Sequence, residues 1–194
     1  MADGMSSEPA TDAEESVKVG SQVHERMKFP LRMISQVVRG FGRGSSELGI
    51  PTANLSAEGG QFGDTNFDDL PTGIYWGFAR IGDEGNVYKT ACSIGYNPTY
   101  KNKTKTIEPH LIAPESDSRR HVSSCQETIL KDFYDQTIRL SLVGYLRPEL
   151  PFEGLDKLID AIKNDIKNTE MLAGRKEDRN VIEEEAWVKS SDGI

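Results

Sequence analysis

The chain reads as a mainly β domain, an antiparallel barrel or sandwich, with one helix near its C-terminal end. Short extended runs broken by turn signals fill residues 33–147, and little helical periodicity interrupts them. A single apolar stripe at helical spacing follows.

The elements follow in order. Residues 33–38 are rich in β-formers and lead to Gly40. Pro51 forces Ile50 out of the helical region, so the next stretch is extended. Residues 73–79 alternate around aromatics, and Gly82, Asp83, Glu84, Gly85 and Asn86 supply a hairpin turn. Residues 87–94 return beside them. Residues 106–112 form another strand, and 137–143 alternate as a half-buried one. Leu155, Leu158, Ile159, Ile162 and Ile166 recur at three- and four-residue spacing, which predicts a helix whose stripe covers the β structure. Gly174 suits its end.

A length of 194 residues suits one domain, and 36% apolar content places part of the chain outside the core. Residues 1–27 carry Asp3, Glu8, Asp12, Glu14, Glu15 and Glu25 against Lys18 and Arg26. Such a segment buries too little surface to offset its ordering entropy, so a disordered acidic extension is expected. It has neither the apolar run of a signal peptide nor the arginines of a transit peptide. The end of the chain, residues 176–194, reads as a second acidic extension through Glu183, Glu184 and Glu185, with Trp187 its candidate for docking.

A net charge of −8 argues against nucleic acid as a partner, and Arg119, Arg120 and His121 read as a solvated loop. No stretch is apolar enough for a membrane span. Cys92 and Cys125 show no metal-ligand spacing, which suits free thiols in a reduced, cytoplasmic setting. A monomer acting on small molecules is the expectation.

The chemistry concentrates between Gly40 and Asn54. Glycines at 40, 42, 44 and 49 let the backbone curl its N–H groups inward, which suits a phosphate. In the extended segment, Thr52 and Asn54 point to one side. A hydroxyl and an amide oxygen together are hard ligands of the kind Mg²⁺ takes. Neither the P-loop pattern nor the dinucleotide fingerprint is present, and each piece alone also fits a flexible turn before a strand. Further on, alternation puts Thr106, Glu108 and His110 on one face and Ile107 on the other. Glu108 can be a proton acceptor or a solvated edge glutamate, and Pro109 suits an edge.

The run from Gly42 to Asn54, with Leu-Gly-Ile-Pro-Thr-Ala-Asn at its end, resembles the signature of riboflavin kinases (flavokinases) of the monofunctional eukaryotic type. Three further stretches match in the same order. They are Thr72-Gly73-Ile74-Tyr75, then Ser93-Ile94-Gly95-Tyr96-Asn97-Pro98 with Glu108 and His110, then Val143-Gly144-Tyr145-Leu146-Arg147-Pro148-Glu149. The resemblance covers residues 30–170, most of the chain. It implies a small six-stranded antiparallel Greek-key closed barrel with a packed C-terminal helix, over residues 28–175. It also makes residues 113–130 an inserted surface loop.

The activity it implies is transfer of the ATP γ-phosphate to the 5′-hydroxyl of riboflavin, giving ADP and FMN, with Mg²⁺ or another divalent ion such as Zn²⁺ or Mn²⁺. Thr52 and Asn54 would hold metal and phosphate. Gly40 and Ser46 would lie over the nucleotide, Ser46 through its backbone because many relatives carry lysine there, and Tyr134 would touch it. Glu108 would be the general base and His110 structural. Arg147 would stack on the flavin or hold its phosphate, and Asp156 would hydrogen-bond the ring. No adenylyltransferase domain fits in the remaining length, so FAD synthesis is not expected. The alternative is a non-catalytic flavin- or nucleotide-binding barrel.

Overall fold

Strand alternation builds the core. The computed structural model describes residues 28–39, 54–56, 60–63, 66–83, 85–96, 105–117 and 133–194. β1 (Leu31–Val38), β2 (Asn54–Leu55), β3 (Gly73–Ile81), β4 (Val87–Tyr96), β5 (Lys105–Ile112) and β6 (Thr137–Arg147) form one six-stranded sheet in the order β2-β1-β6-β3-β4-β5. Every hydrogen-bonded neighbour is antiparallel. β2 approaches β5, which brings the ends of the sheet together into a nearly closed barrel. Met33, Leu55, Tyr75, Ile94, Ile107 and Leu140 point into its core. Gly77 is where β3 and β6 approach most tightly: a Cβ there would stand 1.9 Å from the Ser141 carbonyl oxygen. The register shifts at this point.

α1 (Leu155–Ala173) ends at Gly174, whose N–H reaches the Glu170 carbonyl. It covers the outer face of the barrel, with Ile166 and Ile162 against Ala91 and Ile112. The expected stripe is seated differently, however. Leu155 is 58% exposed, and the buried positions are Asp165, Ile166, Thr169 and Ala173. The helix is held by its C-terminal half, where Asp165 meets Arg147, and its first turn stays in solvent.

The acidic end of the chain is not a loose extension throughout. α2 (Arg179–Lys189) starts at Asp178, whose side chain accepts from the Asn180 N–H at 2.9 Å. Val181, Trp187 and Val188 pack on Trp76, Phe78 and Val143. Glu184 is buried and accepts from Arg32 Nε and Nη2 and from the Ser141 hydroxyl, each at 2.8 Å. The Trp187 ring has Arg32 at 4.9 Å and Arg139 at 4.2 Å from its centroid. Among the described residues, no helix is long and apolar enough to cross a membrane. Residues 1–27 and most of 113–130 lie outside the described residues.

Candidate active site

Glu108 stands where alternation predicts, on the outer face of β5, while Ile107 and Leu111 enter the core. The Thr106 hydroxyl donates to one of its carboxylate oxygens at 3.0 Å. Across the β4–β5 ladder Ser93 is paired with Glu108 and Gly95 with Thr106. β5 ends the hydrogen-bonded order of the sheet, which is the position that tolerates Pro109. Beneath Glu108, Cys92 is a buried free thiol pushed well above its ordinary range, by burial first and by the Glu108 charge second. The His110 carbonyl accepts from the Thr90 hydroxyl at 2.8 Å inside the β4–β5 ladder, and the residue is buried.

Asn54 pairs with Val38 at the β1–β2 edge. Its neighbour Leu55 is in the core, so Asn54 takes the outer side. Because β2 approaches β5, Asn54 and Glu108 stand outside the core on adjoining strands. Gly40, Ser46 and Thr52 lie outside the described residues. At the entrance to the glycine run, the Arg39 guanidinium lies over the Tyr134 ring, 4.3 Å from its centroid. Tyr134 is among the residues singled out above; Arg39 is not, and its one signal in the sequence is its place before Gly40.

Arg147 is more committed than its sequence suggests. Its Nε and Nη2 donate to the two oxygens of Asp165 at 2.8 and 2.7 Å, and Nη1 donates to the Pro148 carbonyl at 3.0 Å. The fork is used, which leaves its planar face; the Phe152 ring centroid is 5.6 Å away. Asp165 is buried, and burial raises its carboxyl above the ordinary range although Arg147 pulls the other way. Asp156 is exposed in the first turn of α1, where an acid complements the helix dipole. Tyr96 and Leu150, close in sequence to Gly95 and Arg147, are large apolar groups left in solvent. Asp165 went unrecognised because a carboxylate inside an apolar stripe reads as solvated.

Residues 27–173 match the family model for flavokinase, or riboflavin kinase. The chain belongs to the riboflavin kinase family. It is 46% identical over 132 residues to the human riboflavin kinase, covering 68% of this chain and 74% of that protein. Over 139 residues it is 45% identical to the mouse riboflavin kinase, covering 72% and 78%. The riboflavin kinase of Aspergillus fumigatus is 38% identical over 160 residues, covering 71% and 73%. In three dimensions the chain is similar to the crystal structure of riboflavin kinase from Trypanosoma brucei, with a TM-score of 0.57 and 21% identity over 87% of this chain and 95% of that one. This last likeness speaks for the barrel. The riboflavin kinase family match stops at residue 173, the last residue of α1, so α2 lies beyond it.

Proposed function

We propose that the chain transfers the γ-phosphate of ATP to the 5′-hydroxyl of riboflavin, making FMN and ADP. The observation that carries this reading is Glu108, held by Thr106 on the outer face of β5 in a chain of the riboflavin kinase family. Phosphoryl transfer to an alcohol needs positioning, charge neutralisation and a proton acceptor. The ribityl oxygen attacks the γ-phosphorus, its bond to phosphorus forms, and the bond to the bridging oxygen breaks to release ADP. The hydroxyl proton passes to the Glu108 carboxylate. The Thr106 hydrogen bond fixes the rotamer in which that carboxylate waits.

Among the described residues, no group of three His, Cys, Asp or Glu converges to hold an ion. The oxygen donor of Asn54 suits instead a hard divalent ion that takes few protein ligands and completes its shell with substrate phosphates and water. Asn54 and Thr52 would hold that ion, and when bound it supplies charge neutralisation at the phosphates. Arg39 and Tyr134, with the backbone of Gly40 and Ser46, serve the nucleotide side. Arg147, its fork spent on Asp165, offers its plane to the isoalloxazine, and Asp156 accepts a hydrogen bond from the ring.

The test is chromatographic detection of FMN after incubation with riboflavin and Mg²⁺-ATP, beside Glu108→Gln. Glu108→Gln is expected to bind nucleotide and lose turnover by roughly 10²–10⁴-fold. Full activity in that variant removes Glu108 as the base. Flavin or nucleotide binding by the native chain without any FMN would leave a non-catalytic binding barrel.

A further inference from the structure

The motifs Thr72-Gly73-Ile74-Tyr75 and Ser93-Ile94-Gly95-Tyr96-Asn97-Pro98 have no part in the scheme above. Strand register puts one residue of each between the two ends of the candidate site. Ser93 is paired with Glu108 across β4 and β5, and Ile74 with Ser93 across β3 and β4. On its other side Ile74 is paired with Arg147 of β6. Arg147, Ile74, Ser93 and Glu108 therefore form one row across four neighbouring strands. Residues directly opposite in such ladders share a face.

That face is the outer one. Tyr75, Cys92, Ile94 and Ile107 enter the core, so Ile74, Ser93 and Glu108 point away from it. Simple alternation from the buried Tyr145 would turn Arg147 inward. The register shift at Ile74 and Tyr75 makes Leu146 an extra residue of β6 and reverses that outcome. Arg147 accordingly meets Asp165 of α1, outside the barrel.

The neighbouring row of this face, Trp76, Ala91 and His110, is buried, with Trp76 packed on α2 and Ala91 on α1. The row from Arg147 to Glu108 is half-exposed throughout. Glu149 borders it, its carboxylate lying over Gly95 where any Cβ would collide with it. From inside the barrel, the Tyr75 and Tyr145 hydroxyls donate to the Pro71 and Thr72 carbonyls at 2.6 and 3.2 Å. The entry to β3, and with it Ile74, is thereby fixed.

We propose that Ser93 is a riboflavin-binding residue: from the middle of this row its hydroxyl hydrogen-bonds the ribityl chain and sets the terminal alcohol before Glu108. The inference rests on the reading that puts the flavin ring at Arg147 and the base at Glu108. Three strand spacings, about 14 Å, separate the ends of the row. A tricyclic ring with an extended polyhydroxyl chain has a comparable reach. With the ring at one end and the reacting alcohol at the other, the linking chain crosses Ile74 and Ser93. Ile74 gives its carbons an apolar rung, and Ser93 can both donate to and accept from a secondary alcohol.

The experiment measures kcat/KM with riboflavin and with a flavin whose side chain has the same length but only its terminal hydroxyl. The native chain, Ser93→Ala and Ser93→Cys are compared, and KM for ATP is measured beside them. Ser93→Ala is expected to lower kcat/KM for riboflavin roughly fivefold, the worth of one hydrogen bond. The value for the chain-deoxy flavin changes by less than about twofold, as does KM for ATP, because neither uses this hydroxyl. A purely structural serine would move all three together. Ser93→Cys keeps the size and is expected to act in the same direction, which serves if Ser93→Ala folds poorly. An unchanged kcat/KM for riboflavin in both variants overturns the proposal, as does an equal fall for the chain-deoxy flavin. A native chain that forms no FMN fails the underlying reading and takes the proposal with it. FMN formed equally well by the native chain and both variants sinks only the role of Ser93.

Discussion

Glu184 on α2 and Glu108 on β5 are both carboxylates outside the barrel core, yet only the first is sealed from water. Glu184 is met by Arg32 through two nitrogens and by Ser141, under a helix whose tryptophan sits between two arginines. Glu108 is held by Thr106, on a patch that solvent reaches. A buried carboxylate needs every lone pair answered, because an unanswered one carries its full desolvation cost. One used as a base must keep an oxygen ready for a proton. The sealing under α2 is itself incomplete among the described residues: Arg80 and Arg139 each keep a buried Nε without a partner. Burial, and Arg80 next, lower the Arg139 guanidinium from its ordinary range. One helix-covered face spends its charges on holding the chain together, and the other keeps them available.

The largest expected effect sharpens that contrast. Glu108→Gln should reduce FMN formation by roughly 10²–10⁴-fold, about 3–5 kcal/mol in the barrier, while calorimetry finds its melting temperature within about 2 °C of the native value. A large fall in melting temperature would mean that Glu108 is structural too. Trp187→Ala should do the reverse. Losing a buried indole that packs on Trp76, Phe78 and Val143 is expected to cost about 3 kcal/mol by urea titration. The folded fraction should keep its turnover within about twofold.

Glu184→Gln comes next, at about 1–3 kcal/mol by the same titration. The lower part of the range is favoured because the Arg32 side chain is 36% exposed and water can take over its solvation. The smallest effect concerns Asp165. Its carboxyl is raised in the folded state, so folding favours its protonated form. Its contribution to stability is therefore greatest below the ordinary aspartate range and declines as pH climbs through the raised value. Asp165→Asn should flatten the fall in melting temperature over that window. It also frees the Arg147 fork, and the KM for riboflavin should rise roughly threefold. A pH profile unchanged by the substitution would show that the pair carries no such linkage.

Much of the barrel was legible because its signals are local. Turn residues bound the strands, and alternation alone tells Ile107 from Glu108. The errors fell where charge is buried. Glu183, Glu184 and Glu185 made α2 look solvated, and the apolar residues Val181, Trp187 and Val188 are too sparse to outweigh them. The stripe on α1 was recognised, but its seat was misplaced toward Leu155 because the anchor is a carboxylate, Asp165. The contacts of Arg39 with Tyr134, of Glu149 with Gly95 and of Asp165 with Arg147 were not foreseen, for a related reason. Each acquires its meaning from a partner that sequence spacing does not reveal.

By itself the sequence determined the strand and helix periods, the outward face of Glu108, and the ordered motifs that tie the chain to the riboflavin kinase family. All of these are written in neighbours a few residues apart, where backbone geometry alone sets which side chains share a face. Only the tertiary structure decided that Arg32 would seal Glu184 from 152 residues away, that Arg147 would be claimed by Asp165, and that Glu149 would settle over Gly95 beside Glu108. A charge becomes costly or useful according to what removes its water, and packing the two helices and the end of β6 onto the barrel is the step that brings those groups together.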